Sequence, residues 1–359
     1  MVSKKVYPRL LEPPEGSFFL FGARGTGKST WLKATFPRAM RIDLLDLQVY
    51  QDLLADPGLL GRKLRALTPG STIVLDEIQR LPVLLNEVHR FMEEQGHRFV
   101  LCGSSARKLK KQGTNLLAGR AVRRFMFPFL PAELGGDFDL EEVLRYGALP
   151  VVWQAADKAD TLAAYVQMYL KEEIQAEALV RNLPGFARFL PVLALFHAQV
   201  LNLSSLARDA GVARTTVQGY LEIAEDTLII FKLPSFPLKE KVRERKHPKL
   251  YWVDPGLPRA VRGALGPPGP EEKGALLEGW VAVVLRAYKE YRKLFDDWGH
   301  WSVNLPSRKK VDFLLRRGEE KVAIEVKSAD RFQKSHASGL RALGDLPGLA
   351  RKILVYLGR

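Results

Sequence analysis

The stretch from Ser17 to Ser29 restricts this chain more than any other. An apolar run, SFFLF, leads directly into GARGTGKS, and the residues after it read as a helix. A strand that turns through glycines into a helix N-terminus aims successive backbone N–H groups at one point, and that point suits phosphate. Lys28 would reach the β- and γ-phosphates and Ser29 would ligate Mg²⁺. Gly22, Ala23, Arg24, Gly25, Thr26, Gly27 and Thr30 complete the expected ATP-binding loop. Glycine permits the close backbone approach at Gly22, Gly25 and Gly27. A chance match in a flexible loop would lack the flanking strand and helix.

Two further apolar runs end in polar residues. Thr72 to Leu75 stops at Asp76-Glu77, which places Asp76 in the magnesium shell and Glu77 where it polarises the attacking water. In isolation, a pair of solvated acids opening a helix would look the same. Phe99 to Cys102 stops at Gly103-Ser104-Ser105, so Ser104 is a candidate γ-phosphate sensor, with a plain helix cap as the alternative. Another candidate strand, Met40 to Leu44, carries Asp43 and lies between the loop and Asp76 in the sequence. Together with the Asp-Glu pair it points to ATPases that use a catalytic glutamate, rather than to simple nucleotide kinases.

The run VLDEIQRLP, the CGSS strand end, Leu117-Ala-Gly-Arg120 and Pro128-Phe-Leu-Pro-Ala-Glu133 resemble a widespread bacterial and archaeal family of AAA-type ATPases. The resemblance extends through Asn202 and Lys249-Leu-Tyr-Trp-Val-Asp254-Pro-Gly256-Leu257 to the end of the chain. It implies that an arginine from a neighbouring subunit completes the catalytic site. Arg120 is the first candidate, followed by Arg123 and Arg124 and then Arg107; simple pairing of Arg120 with a local acid is the alternative. A homo-oligomeric ring, such as a hexamer, is implied with it.

Charge suggests the partner. The 359 residues carry 55 Lys+Arg against 40 Asp+Glu, a formal +15. Residues 1–136 hold 21 cations and 12 anions, residues 137–262 hold 16 of each, and residues 263–359 hold 18 and 12. Such an excess favours a polyanion, DNA first, although an acidic membrane surface or a merely solvated face would also accept it. One cysteine, Cys102, excludes an intramolecular disulfide framework. No apolar stretch is long enough for a membrane span or a signal peptide, so a soluble cytoplasmic protein is expected.

Residues 137–200 read as a helical lid or connector broken at Pro150, Pro184 and Pro191. Residues 201–262 then show a two-helix pattern: Leu206 and Ala210 share one face, Gly211-Val212 make the turn, and Val217, Tyr220 and Leu221 share the next face. Arg214, Thr215 and Gln218 point outward on the second helix, whose start at Ala213 lacks a good capping residue. With a strand over Thr227 to Leu233, this is a winged helix-turn-helix, whose second helix commonly enters the major groove of DNA. The following basic segment, including Lys239, Lys241, Arg243, Arg245, Lys246 and Lys249, would track phosphates. Protein docking and a solvated hairpin remain open as alternatives.

Residues 263–359 begin with the linker GPPGPEEKG and a helix from near Gly274, with Leu277, Val281, Val284, Leu285 and Tyr288 as its buried stripe. Glu278 borders that stripe, an awkward place for an acid without a partner. Val311-Asp312-Phe313 is followed twelve residues later by Glu325-Val-Lys327, with Glu325 and Lys327 on one strand face. This is the PD-(D/E)xK arrangement, in which acids hold Mg²⁺ or Mn²⁺ and the lysine positions water or stabilises charge. The region resembles archaeal Holliday-junction resolvases, and that likeness assigns Glu278 as a third metal ligand beside Asp312 and Glu325. An ordinary surface ion pair would explain the D…ExK spacing alone. Lys309 and Lys310 add positive charge beside the proposed phosphate path.

The expected fold is α/β: a P-loop NTPase domain with a parallel sheet (1–136), a helical connector (137–200), a winged helix (201–262) and a C-terminal restriction-endonuclease-like α/β domain (263–359). The expected function is an oligomeric ATPase that remodels DNA, branched or Holliday-junction DNA included, with a C-terminal module that grips or cuts. The alternative is a nucleotide-dependent regulatory or protein-docking switch, in transcription or defence, without motor or nuclease activity.

Overall fold

Three apolar runs and two more polar outer segments become the parallel strands β1 (Ser17–Phe21), β2 (Met40–Asp43), β3 (Thr72–Asp76), β4 (Arg98–Gly103) and β5 (Ala121–Phe125), arranged in the order β2-β3-β4-β1-β5. This computed structural model describes residues 5–105, 117, 119–170, 183–237, 247–303, 309–344 and 346–358. The chain divides into two units, residues 1–133 with 226–228, and residues 134–225 with 229–359.

In the first unit the central strands are covered on both faces, which is why β1 reads as an unbroken apolar run instead of alternating. Phe19, Phe21, Ile73, Leu75, Phe99 and Leu101 pack on the helices α2 (Leu47–Ala55), α3 (Gly58–Arg65) and α4 (Leu85–Glu94), mainly through Leu60, Leu64, Leu85, Val88 and Phe91, while Phe18 meets Trp31 of α1 (Lys28–Thr35). Asp46 caps α2, accepting from the backbone N–H groups of Gln48 and Val49 at 2.9 and 3.2 Å. Because all the strands run the same way, Phe21, Asp76 and Gly103 finish at one edge of the sheet. The strand separating β1 from β3 in space is β4, and β2 lies at the sheet edge with Asp43 opposite Asp76.

The second unit takes in residues 134–225 and 229–359 together, so the segments expected as connector, winged helix and C-terminal domain are not separated from one another, and 226–228 fall in the first unit. Pro150 opens a short helix and Pro184 stands at the second position of α5 (Leu183–Leu195). Pro191, expected as a break, lies inside that helix. Its missing N–H forfeits one backbone bond, but Phe186, Phe189, Leu190 and Leu193 are buried, and this packing carries the helix through. The two-helix segment comprises α6 (Leu203–Ala210), capped by the Asn202 side chain, and α7 (Arg214–Asp226), with Gly211 left-handed between them at φ 63°. The strand expected from Thr227 starts later, as β7 (Ile230–Leu233), because Leu228 takes a positive φ of 61° that no strand accommodates. β7 pairs antiparallel with β8 (Lys249–Trp252), and β6 (Gln199–Val200) flanks β8 on its other side.

The long helix α8 (Pro270–Arg292) begins four residues before the expected Gly274, inside the proposed linker. Its start carries proper signals that composition obscured: Pro270 at the first turn and Glu271 and Glu272 against the helix dipole. Its most buried stripe is Leu276, Trp280, Val283 and Ala287, next to the expected one. Of the expected residues only Leu277 is fully buried, because α8 is covered on more than one side and periodicity does not select a single stripe. The strands β9 (Asp297–Val303), β10 (Lys309–Arg317) and β11 (Glu320–Lys327) run antiparallel, and β12 (Leu349–Tyr356) adds parallel to β11, in the order β12-β11-β10-β9. The β9–β10 ladder is irregular between Val311 and Leu314, the stretch that contains Asp312.

Candidate functional site

The loop after β1 has the geometry of a phosphate cradle. Gly25 and Gly27 adopt φ of 79° and 87°, and a Cβ on Gly22 would lie 2.6 Å from the Met126 carbonyl oxygen. Neither a side-chain cap nor an acid in the first turn occupies the N-terminus of α1, so its dipole is available to an anion. Thr26 is buried and braces the loop, its hydroxyl donating to the Ala23 carbonyl at 2.8 Å. Lys28 is folded onto the loop, donating to the Gly22 and Ala23 carbonyls at 2.7 and 3.3 Å. Ser29 and Thr30 are exposed, and the Ser29 hydroxyl donates to Asp76 Oδ2 at 2.8 Å. Ser29 and Asp76 are therefore already adjacent, and the pair is placed to share a magnesium shell.

Glu77 follows Asp76 in left-handed backbone, at φ 57°. That conformation is uncommon for a residue with a Cβ and marks a constrained site. Ser104, buried at the end of β4, places its hydroxyl 3.4 Å from Glu77 Oε2. Gln79, absent from the sequence-based site, binds both: its side-chain N–H₂ group donates to Glu77 Oε2 and, at 3.2 Å, to Ser104 Oγ. Gln79 Oε1 is buried with no hydrogen-bond partner among the described residues. A polar residue two positions after the acid pair, between Ile78 and Arg80, was the available clue.

Arg120 has the local partner that the sequence left as its alternative. Its Nε donates to Glu93 Oε1 at 2.5 Å, and both side chains are exposed. The arginine beside Glu93 holds that carboxyl below the usual range. Arg123 and Arg124 lie on β5, and Arg107 falls outside the described residues.

On α7, Arg214, Thr215 and Gln218 are exposed while Val217, Tyr220 and Leu221 are buried, so the outward face holds the residues expected there. Lys239, Lys241, Arg243, Arg245 and Lys246 lie outside the described residues. Lys249, counted with them as a phosphate contact, is instead 4% exposed on β8. A lysine opening the apolar run LYWV was the missed sign that this cation faces inward.

Lys249 reaches the C-terminal acids. Its Nζ donates to Glu278 Oε1 at 2.7 Å and to Asp312 Oδ1 at 2.9 Å. Tyr251, two residues along the same strand face, donates its hydroxyl to Glu278 Oε1 at 2.6 Å. Asp312 Oδ2 accepts the Val326 backbone N–H at 3.0 Å, and Lys310 Nζ lies 3.2 Å from Asp312 Oδ1. On β11, Lys327 donates to Glu325 Oε1 at 2.5 Å. Burial disfavours the charge on Lys249, yet Glu278 and Asp312 outweigh it and hold its pKa above the ordinary lysine value. Burial also works against the Asp312 carboxylate, but Lys249 and Lys310 keep its pKa low. Glu278 is raised by burial and by Asp312, and Glu325 is pushed up to about 6 by the same two causes.

The acids expected to bind metal are thus neighbours in space, but they do not form the expected ligand set. Among the described residues, no three His, Cys, Asp or Glu side chains are arranged to hold a metal ion. The chain's own ammonium groups, those of Lys249, Lys310 and Lys327, lie against these carboxylates instead.

Residues 15–135 match the family described as AAA domain. Residues 137–267 and 273–359 match two families described as domains of unknown function, DUF8612 and DUF4143. An uncharacterized protein of Mycobacterium tuberculosis is 27% identical over 350 residues, covering 94% of this chain and 76% of the relative. An uncharacterized protein of Haemophilus influenzae is 23% identical over 273 residues, covering 70% of this chain and 64% of its own length. Among solved structures, the Aeropyrum pernix ORC1 protein in complex with DNA covers 71% of this chain and 87% of its own, at 15% identity and a TM-score of 0.29. That score is too low for the likeness to bear on fold or function. The domain match and the loop geometry together make residues 15–135 an AAA-type P-loop ATPase domain, with ATP and Mg²⁺ as its ligands. No described helix is long and apolar enough to cross a membrane.

Proposed function

We propose that the chain is an ATP-hydrolysing oligomer that binds and remodels DNA, with branched or Holliday-junction DNA as the substrate class to test first. The observation that carries the DNA reading is the outward face of α7. Arg214, Thr215 and Gln218 are exposed on the second helix of a helix-turn-helix, followed by the β7–β8 pair that would serve as a wing. The chain's +15 charge supplies the matching long-range attraction. In this reading Lys28 and Ser29 bind the nucleotide and its magnesium, Glu77 polarises water, and Ser104 reports the γ-phosphate. Arg120 exchanges Glu93 for the nucleotide of an adjacent subunit, and an exposed ion pair of this kind is weak enough to exchange.

The test is ATP turnover with single-stranded, duplex and four-way junction DNA. Stimulation by at least one of them, lost in Arg214→Ala/Gln218→Ala, is expected. Turnover indifferent to all three would replace this reading with a protein-docking switch. For the arginine, mixing Arg120→Ala with Glu77→Gln subunits restores turnover if sites form across an interface. A wild-type rate for Arg120→Ala alone removes it from the mechanism. In this proposal the C-terminal module grips DNA rather than cutting it, because its acids are already paired with lysines.

A further inference from the structure

Glu278, Asp312 and Glu325 stand on the helix and strands where the PD-(D/E)xK pattern calls for a divalent cation, and the residues around them do not fit one. Lys249 Nζ bridges Glu278 Oε1 and Asp312 Oδ1 at 2.7 and 2.9 Å, the two carboxylates that a shared metal would have to bridge. Lys310 Nζ adds a second cation, 3.2 Å from Asp312 Oδ1 and 3.8 Å from Glu278 Oε2. Lys327 covers Glu325. Fully ionised, three carboxylates meet three ammonium groups, and the cluster is neutral. Mg²⁺ and Mn²⁺ are bound by sites with surplus oxygen charge and open coordination positions. Adding two positive charges to a neutral buried cluster would be opposed by the ammonium already seated on Asp312.

Placement by the fold sets this lysine apart from an incidental ion pair. Lys249 is buried at the start of β8, a strand buried along its whole length, and Tyr251 on the same strand binds the same Glu278 oxygen. β8 therefore sends two donors to one carboxylate and ties the β6-β8-β7 sheet to α8 and β10. Burial and Glu278 also keep the Tyr251 hydroxyl protonated and a donor. Glu325 Oε2 is left without a partner among the described residues, but it packs toward Gly339, whose absent Cβ would lie 3.4 Å away.

We propose that Lys249 is the resident cation of this acidic site: its ammonium takes the position of the divalent metal, so the C-terminal module works without metal-dependent phosphodiester cleavage. The acid cluster then serves as an ionic joint between two sheets of one unit.

The measurement is Mn²⁺ binding by electron paramagnetic resonance on the full chain without nucleotide or DNA, so its result is independent of the DNA reading. Wild type and Glu278→Gln are expected to bind the same number of ions. Lys249→Met is expected to bind about one more per chain, and Lys249→Met/Glu278→Gln to lose it again. An ion bound by wild type but lost in Glu278→Gln or Glu325→Gln would overturn the proposal. So would a folded Lys249→Met chain that gains none, because the acids would then not constitute a cation site. Should either Glu278→Gln or Lys249→Met fail to fold, wild type against Glu325→Gln still decides. Cleavage of duplex or four-way junction DNA by wild type with Mn²⁺, abolished by Glu325→Ala, would overturn it independently.

Discussion

Lys28 and Lys249 are both buried lysines, yet they are held by different kinds of acceptor. Lys28 rests on two backbone carbonyls, whereas Lys249 rests on two carboxylates. A phosphate would offer Lys28 charge-assisted hydrogen bonds stronger than those to neutral carbonyls, so on the proposed reading this lysine would exchange partners on ATP binding. Lys249, buried, already has two charged partners, and a ligand offers it nothing stronger. A lysine near an acid pair therefore signals chemistry only where its resting partner is weaker than its ligand.

The strongest challenge to this contrast is Glu77→Gln. If the first site turns over ATP as its geometry indicates, hydrolysis falls by about 10²- to 10⁴-fold while nucleotide affinity is kept, read as kcat against KM. A rate unchanged within twofold would remove the catalytic assignment from Glu77.

Next in size is Lys249→Met, read by urea unfolding. Removing one partner of a buried ion network costs about 3–5 kcal/mol, because the remaining carboxylates stay uncompensated. The double variant Lys249→Met/Glu278→Gln should recover part of that loss. An unchanged midpoint in the single variant would mean that Lys249 is a spectator.

His197 sharpens the view of the second unit through pH. Burial lowers its pKa to about 3, and its Nδ1 accepts the Trp252 backbone N–H at 3.2 Å, which requires the neutral ring. The unfolded chain takes up a proton near pH 6.5 and the folded chain does not, so the stabilisation is complete above that pH and declines as pH falls toward 3. Between pH 7 and 5 the expected loss is about 2 kcal/mol, an upper figure for this one group. His197→Gln should flatten that slope; a slope identical to wild type would place the pH dependence elsewhere.

Gln79→Leu tests a finer feature of the first site. Losing the amide that ties Glu77 to Ser104 should lower kcat about tenfold with KM unchanged, while Gln79→Asn keeps part of the rate. A rise in KM alone would assign Gln79 to nucleotide binding. The smallest effect is expected from Glu93→Ala, which frees Arg120 from an exposed pair and should leave the melting temperature unchanged within measurement.

Much of the ATPase domain was legible because its signals are local. GARGTGKS, the strand-end Asp76-Glu77 and the Ser104 strand end each lie within a few residues, and parallel strands deliver their ends to one edge whatever the loops between them do. The outward face of α7 was legible for the same reason, since helical periodicity alone separates Gln218 from Val217. The start of α8 was misplaced because proline and glycine signal both a linker and a helix N-terminus, and its buried stripe because an apolar helix has more than one candidate face.

The chemistry of the acidic cluster lay beyond local reading. Sequence spacing brings Asp312 and Glu325 to adjacent strands, and helical phase turns Glu278 inward; neither says what counterion they meet. That counterion is Lys249, 29 residues before Glu278 and 63 before Asp312. It arrives only because β8 packs against α8 and β10. Motifs record which groups a chain owns, whereas the pKa and ligand preference of a buried acid depend on charges within a few ångströms, and long-range packing chooses those.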